Sequence, residues 1–315
     1  SLGGVLAFGD RGTGKTTAVR GLASLLPKLD AVKDCRYNCD PNSTKSFCEE
    51  CSSKQELQTV SIETPVVDLP LGITEDRLIG ALDIERALLD GKKQFQNGLL
   101  ADANRGFLYI DEVNLLDDHL VDVLLDVAAS GVNVVEREGL SVRHPAKFVL
   151  VGSGNPEEGE LRPQLIDRFG LSVDVETPTN ISQRVEVIKR RDLYEQDPVA
   201  FISRWKSETG KLRNRIINAK TIISDITIGD DMLSLIAEIC VSLGTDGLRG
   251  ELTLIKAARA EAAWLGHDHV GTEHIKSMAP MALSHRLRRN PLDDARATVR
   301  VERILEEIFS NRNAA

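Results

Sequence analysis

The sequence predicts an α/β protein: a parallel sheet flanked by helices and carrying hairpin insertions, followed by a smaller all-helical domain. Three observations predict it. A glycine-rich phosphate-binding motif stands between a strand-like and a helix-like run at Gly9–Thr16, an apolar strand at Phe107–Ile110 ends in two adjacent carboxylates, and strand signals stop after Val175. The 315 residues suit two domains, 1–178 and 179–315, with the boundary near Pro178. A hydrophobic share of 42% and a charged share of 28% exclude a disordered chain. With 39 basic and 48 acidic side chains the net charge is −9, which argues against a general nucleic-acid binder. No apolar run reaches the ~18 residues of a membrane span, so a soluble protein is expected.

Gly3–Phe8 reads as a buried strand with nothing in front of it, so the chain is expected to begin inside its fold. Gly9, Asp10, Arg11, Gly12, Thr13, Gly14, Lys15 and Thr16 match G-x-x-x-x-G-K-[ST] in full, and Thr17–Leu26 reads as the helix that follows. Glycines let consecutive backbone N–H groups turn around phosphate oxygens. Lys15 then neutralises the outer phosphates, Thr16 offers its hydroxyl to Mg²⁺, and Thr17 continues the helix whose N-terminus faces the anion. Phe107-Leu108-Tyr109-Ile110-Asp111-Glu112 supplies the second half of such a site. Asp111 suits the metal's outer shell, and Glu112 suits polarising the attacking water.

Lys15 and Asp111 lie 96 residues apart, more than a minimal nucleotide core needs, so segments are inserted between them. Asp83–Leu89 reads as helical and Asn97-Gly98 as a turn. Asp117–Ser130 reads as a helix with Leu120, Leu124 and Ala128 on one stripe and Gly131 as its stop. Val132–Val135 and Leu140–Val142 around Glu138-Gly139 read as a hairpin. Behind Pro178, Asn180 caps a helix Ile181–Tyr194. Further helices are expected over Pro198–Glu208, Leu212–Ser224, Asp230–Leu243, Arg249–Leu265, Thr272–Arg288 and Val299–Phe309.

These motifs resemble the AAA+ ring ATPases, and closely resemble the motor-subunit family of magnesium chelatase. The particular stretches are Pro65–Gly72, Gly80–Arg86, Leu99–Gly106, Gly152–Gly159, Pro163–Phe169 and Ser284–Arg289. The resemblance implies a P-loop AAA+ module with a helical lid, binding ATP and Mg²⁺. It makes Asn155 the sensor on the attacking water or γ-phosphate, Arg168 an arginine finger reaching into the neighbouring subunit, and Arg249 the second sensor. The residues alone also allow blander readings: Asn155 as a turn residue before Pro156, Arg168 in a surface ion pair, Arg249 beside a carboxylate such as Glu251 or Asp246. The implied activity is ATP-driven Mg²⁺ insertion into protoporphyrin IX, in a homo-oligomeric ring, a hexamer, with a second AAA+ subunit and a large porphyrin-binding subunit. The implied location is the cytoplasm of a photosynthetic bacterium or the plastid stroma. A MoxR-like remodelling chaperone for another metal-cofactor protein, or a non-hydrolysing ATP-bound platform, would share the ATP site.

Cys35, Cys39, Cys48 and Cys51 crowd into 17 residues as C-x₃-C-x₈-C-x₂-C. The residues allow a tetrahedral zinc site, redox switching or an inert loop, and the first half is not standard zinc spacing. Cys240, on an apolar helix face, reads as packing. His267 and His269 beside Asp268 read as a polar loop, and Arg286, Arg288 and Arg289 as a basic cluster or a solvated helix end.

Overall fold

A computed structural model describes residues 2–43, 47–83, 95–137, 140–159, 161, 166–287 and 297–314. The chain forms two compact units. One comprises Ser1–Phe8, Lys15–Ala23 and Pro27–Val173; the other comprises Gly9–Gly14, Ser24–Leu26 and Asp174–Ala315.

Strands β1 (Gly4–Gly9), β4 (Val66–Leu69), β7 (Phe107–Ile110), β10 (Val149–Gly154) and β11 (Leu171–Val175) form a five-stranded sheet in the order β11-β1-β10-β7-β4. β1 pairs parallel with β10, β10 with β7, and β7 with β4. Leu108, Tyr109 and Ile110 are all buried, as expected of a central parallel strand covered on both faces. Helices α1 (Lys15–Leu25), α3 (Glu75–Ile79), α4 (Leu99–Asp102) and α5 (Asp118–Ser130) belong to this α/β part. Leu120, Val121, Leu124 and Leu125 of α5 join Leu108, Ile110 and Leu150 in one core. Gly131 ends α5 in the left-handed conformation at φ 73°, its N–H bonded to the Val127 carbonyl.

Three two-stranded antiparallel ribbons are inserted: β2 (Leu29–Val32) with β3 (Thr59–Ile62), β5 (Gly80–Leu82) with β6 (Phe95–Asn97), and β8 (Val132–Arg137) with β9 (Leu140–Pro145). The first ribbon encloses the cysteine segment and its short helix α2 (Glu49–Ser53). The expected β8–β9 hairpin is present; its Glu138-Gly139 turn lies outside the described residues, as do Ile84–Leu89 of the expected helix. The turn expected at Asn97-Gly98 is a strand-to-helix junction: Asn97 closes β6 and Gly98 stands at the N-cap of α4. A Cβ at Gly98 would collide with the Leu78 carbonyl.

The second unit is helical: α6 (Ile181–Gln196), α7 (Pro198–Ile222), α8 (Asp230–Leu243), α9 (Arg249–Leu265), α10 (Thr272–Leu283) and α11 (Ala297–Ala314). Asn180 caps α6, its Oδ1 accepting the Ser182 N–H at 2.9 Å. One expectation fails here. The break between Glu208 and Leu212 does not occur, and a single 25-residue helix runs through it. Gly210 costs about 1 kcal/mol against alanine in a helix, and nothing crowds the place where its Cβ would stand, so no steric reason ends the helix there. Helix α10 stops at Leu283, five residues short of expectation, and tightens into a 3₁₀ turn at Ser284–Arg286; Arg288 and Arg289 lie outside the described residues. Cys240 is buried in this unit, where burial pushes its thiol up to about 12.

Candidate functional site

The register of the sheet assembles the acidic edge. Gly152 pairs with Ile110 in the parallel β10–β7 ladder, so Ser153 follows beside Asp111 and Asn155 beyond it, at the carboxyl end where open α/β sheets bind ligands. Tyr109 and Asp111 lie two residues apart and share a face. The Tyr109 hydroxyl is 2.9 Å from Asp111 Oδ1, 3.0 Å from Ser153 Oγ and 3.1 Å from Thr16 Oγ1. Ser153 donates to Asp111 Oδ1 at 2.6 Å, and Thr16 Oγ1 lies 3.3 Å from Asp111 Oδ2. Burial alone would push the Asp111 carboxyl up, but hydrogen bonds from Ser153, Tyr109 and Thr16, with the Arg20 charge, hold it below the usual carboxylate range.

Glu112 adopts φ 57°, ψ 58°, the left-handed region that a non-glycine residue enters at a cost. This bend turns the chain out of β7 into a 3₁₀ turn, Val113–Leu115, and Ser153 Oγ accepts the Glu112 N–H at 3.2 Å. Glu112 Oε2, Asn155 Nδ2 and both amide atoms of Asn114 are buried without a hydrogen-bond partner among the described residues. A carboxylate oxygen and amide groups left unsatisfied near one sheet edge are costly, and a ligand that pairs with them would remove that cost. Asn155 also does what the blander reading expected: its Oδ1 accepts the Glu157 N–H at 3.1 Å and starts a 3₁₀ turn. The Nδ2 of the same amide, unpaired among the described residues, keeps its donor capacity.

The loop Gly9–Gly14 joins β1 to α1. Gly12 and Gly14 have φ 74° and 84°, the space where their Cβ atoms would stand is open, and Thr13 Oγ1 donates to the Asp10 carbonyl at 2.9 Å. Asp10, Arg11 and Thr17 are exposed, and Lys15 and Thr16 half-buried at the start of α1. Arg168 is held by two carboxylates of α5, Asp126 at 2.7 Å and Asp122 at 3.1 Å. Arg249 is the first residue of α9. His269 pairs with Asp268 and His267 with His274.

Sequence reasoning missed Tyr109, Ser153 and Asn114. Tyr109 passes for a core aromatic, although its two-residue offset from Asp111 could have flagged it; Ser153 and Asn114 become visible only through strand register.

A family model described as "Magnesium chelatase, subunit ChlI" matches residues 3–164, and one described as "AAA lid domain" matches residues 233–308. A magnesium-chelatase 38 kDa subunit of Acidiphilium rubrum is 60% identical over 313 residues, 98% of this chain and 91% of that protein. The chain belongs to the magnesium chelatase ChlI family. Its relatives in that family extend to a ChlI homolog of Methanocaldococcus jannaschii, 47% identical over 99% of this chain and 86% of that one. A solved structure of the complex between the BchI and BchD subunits of magnesium chelatase contains a chain 55% identical to this one, with a TM-score of 0.51, covering 95% of this chain and 91% of that one. A crystal structure of a Cytophaga hutchinsonii protein, 19% identical with a TM-score of 0.60 over 97% and 84% of the two chains, shares the fold. The ChlI-family chain is thus an AAA+ protein with a lid, and no helix among its described residues is long and apolar enough to cross a membrane.

Proposed function

We propose that this ChlI-family chain is the ATP-hydrolysing motor that drives Mg²⁺ insertion into protoporphyrin IX in (bacterio)chlorophyll biosynthesis. It would work as a homo-oligomeric ring, a hexamer, with the second AAA+ subunit and the large porphyrin-binding subunit, in the cytoplasm of a photosynthetic bacterium or the plastid stroma. The observation that carries the hydrolytic part is the buried Glu112 Oε2, unpaired among the described residues, next to an Asp111 whose carboxylate is already fixed by three hydroxyls.

The residues fit the group they would hold. Thr16 Oγ1 and Asp111 are hard oxygen donors of the kind nucleotide-bound Mg²⁺ selects, and Gly9–Gly14 with Lys15 and Thr17 make the phosphate cradle. When bound, Mg²⁺ supplies charge neutralisation at the phosphates. Glu112 Oε2 accepts the proton of the water that adds to the terminal phosphorus as the bond to the bridging oxygen breaks. Asn155 Nδ2 orients that water or the γ-phosphate. Arg168 of one subunit would leave Asp122 and Asp126 and stabilise charge at its neighbour's site, a contribution of ~10³–10⁵ in turnover for such fingers. Arg249 would report nucleotide state from α9.

Reconstitution tests the reading: this chain, ATP and the two partner subunits should convert protoporphyrin IX to its Mg²⁺ chelate, and Glu112→Gln should abolish both product and phosphate release. Metallation that survives Glu112→Gln would favour a non-hydrolysing platform. Failure to bind the partners, with capture of an unrelated client, would favour a remodelling chaperone.

A further inference from the structure

The four clustered cysteines play no part in the site above, and their arrangement has a chemistry of its own. The Sγ atoms of Cys35, Cys39, Cys48 and Cys51 all lie within 4.8 Å of one another, and all four are free thiols. Cys35 Sγ and Cys48 Sγ are 3.9 Å apart. Four sulfurs placed tetrahedrally at ~2.3 Å around one zinc ion stand about 3.8 Å from each other, whereas bonded disulfide sulfurs stand at ~2.05 Å. A cluster of several irons has to seat a larger inorganic core between its cysteines and would spread them further.

The backbone is shaped around the sulfurs. Cys48 caps α2, accepting the Cys51 N–H on its own Sγ at 3.4 Å, which brings Cys51 onto the same face one turn later. The N–H groups of Tyr37 and Cys48 point at Cys35 Sγ and Cys39 Sγ, at 3.4 and 3.3 Å. Backbone N–H donors to sulfur stabilise the thiolate form that a metal requires. Asp34 and Asn38 take left-handed backbone conformations, φ 59° and 48°, immediately before Cys35 and Cys39.

Packing gives the cluster its purpose. Cys39, Cys48 and Cys51 are buried, and with Val32 they form the buried core cluster of this segment among the described residues. A two-stranded ribbon with a five-residue helix cannot bury enough apolar surface to order itself. Yet this segment carries defined contacts to the rest of its unit. The Tyr37 ring stacks on His144 of β9 with centroids 4.6 Å apart, and Arg105 donates to the Asp30 and Asn38 carbonyls and pairs with Asp40.

We infer that Cys35, Cys39, Cys48 and Cys51 bind one Zn²⁺ as a closed tetrathiolate site that orders the β2–β3 insertion and, through Tyr37 and His144, braces the β8–β9 hairpin. With all four positions filled by protein sulfur, the ion has no open site for substrate and is structural.

Elemental analysis of the full chain, purified under reducing conditions without chelator, should give about one zinc per chain. Cobalt(II) offered in its place should produce the intense visible bands of tetrahedral thiolate coordination. Cys48→Ser should lose the zinc, and Cys240→Ser should keep it. Should Cys48→Ser prove insoluble, the wild-type metal content and cobalt spectrum decide alone. A chain free of zinc with four freely titrating thiols, a chain that holds disulfides among the four under these conditions, or stoichiometric iron would each overturn the assignment.

Discussion

Replacing Ser153 with alanine tests whether Asp111 is prepared by its neighbours to hold a metal. The Ser153 hydroxyl donates to Asp111 Oδ1 at 2.6 Å, lies 3.0 Å from the Tyr109 hydroxyl and accepts the Glu112 N–H at 3.2 Å. Its loss removes one charge-assisted hydrogen bond, of about 1.5–3 kcal/mol, and leaves the Glu112 N–H without its acceptor. Outer partners of metal ligands are typically worth ~10–100-fold in metal affinity, or about 1.4–2.8 kcal/mol, so the two scales agree. The free Mg²⁺ concentration that half-saturates ATPase activity, measured at saturating ATP, is therefore expected to rise by ~10–100-fold. Tyr109→Phe should give a smaller shift, because its 2.9 Å contact with Asp111 is longer than the 2.6 Å one from Ser153 and only Ser153 also accepts the Glu112 N–H, and the double variant should fall short of the sum because both hydroxyls hold one carboxylate. If Ser153→Ala lowers the melting temperature yet leaves the Mg²⁺ dependence where it was, the hydroxyl is only a packing element and Asp111 is not prearranged for the metal.

Arg168→Ala should reduce turnover by ~10³–10⁵ while nucleotide still binds, and mixing it with Glu112→Gln should restore part of the activity. Recovery requires that one subunit's arginine serve another's glutamate, so a mixture as inactive as its components would mean the arginine acts within its own chain. His144 gives a pH signature: Nδ1 donates to the Pro145 carbonyl at 3.0 Å and Nε2 accepts from Asn133 Nδ2 at 3.0 Å, which satisfies the neutral ring, and burial lowers its pKa below 6.5. The unfolded chain then binds the proton more readily, so this stability is complete above pH 6.5 and lost as pH falls from there through the folded value. Urea midpoints should drop more steeply on acidification for wild type than for His144→Gln; parallel curves would show that the ring is not held neutral. Asn180→Ala should cost about 1 kcal/mol in the helical unit by removing the α6 cap, a loss that chemical denaturation can read directly.

The parts of the fold and of the candidate site that sit on contiguous chemistry are legible in the sequence itself: the Gly9–Thr16 loop and the Asp111-Glu112 strand end, and, in the helical unit, the helices Asp230–Leu243 and Arg249–Leu265, are local patterns of glycine, charge and apolar period. What depends on register is not. Ser153 reaches Asp111 because β10 runs parallel beside β7, and nothing in Val149–Gly154 announces that neighbour. The ion pairs of Arg168 lie about forty residues upstream on α5, where Asp122 and Asp126 read as ordinary solvated acids. Gly210 misleads for the opposite reason: a local breaker signal is overridden within a long helix. The cysteines lie between these cases, their spacing visible in one dimension and their convergence on one point only in three.

The backward kink at residue 112 sets durability against work. An L-residue in that left-handed conformation costs roughly 1–2 kcal/mol, and its side chain adds a buried acidic oxygen that nothing offsets among the described residues. Glycine would be comfortable there, so a variant bred solely to survive heat should discard the acid and come out tougher and inert. Under the proposed hydrolysis, an acid carried at that cost belongs to a position that serves turnover rather than endurance.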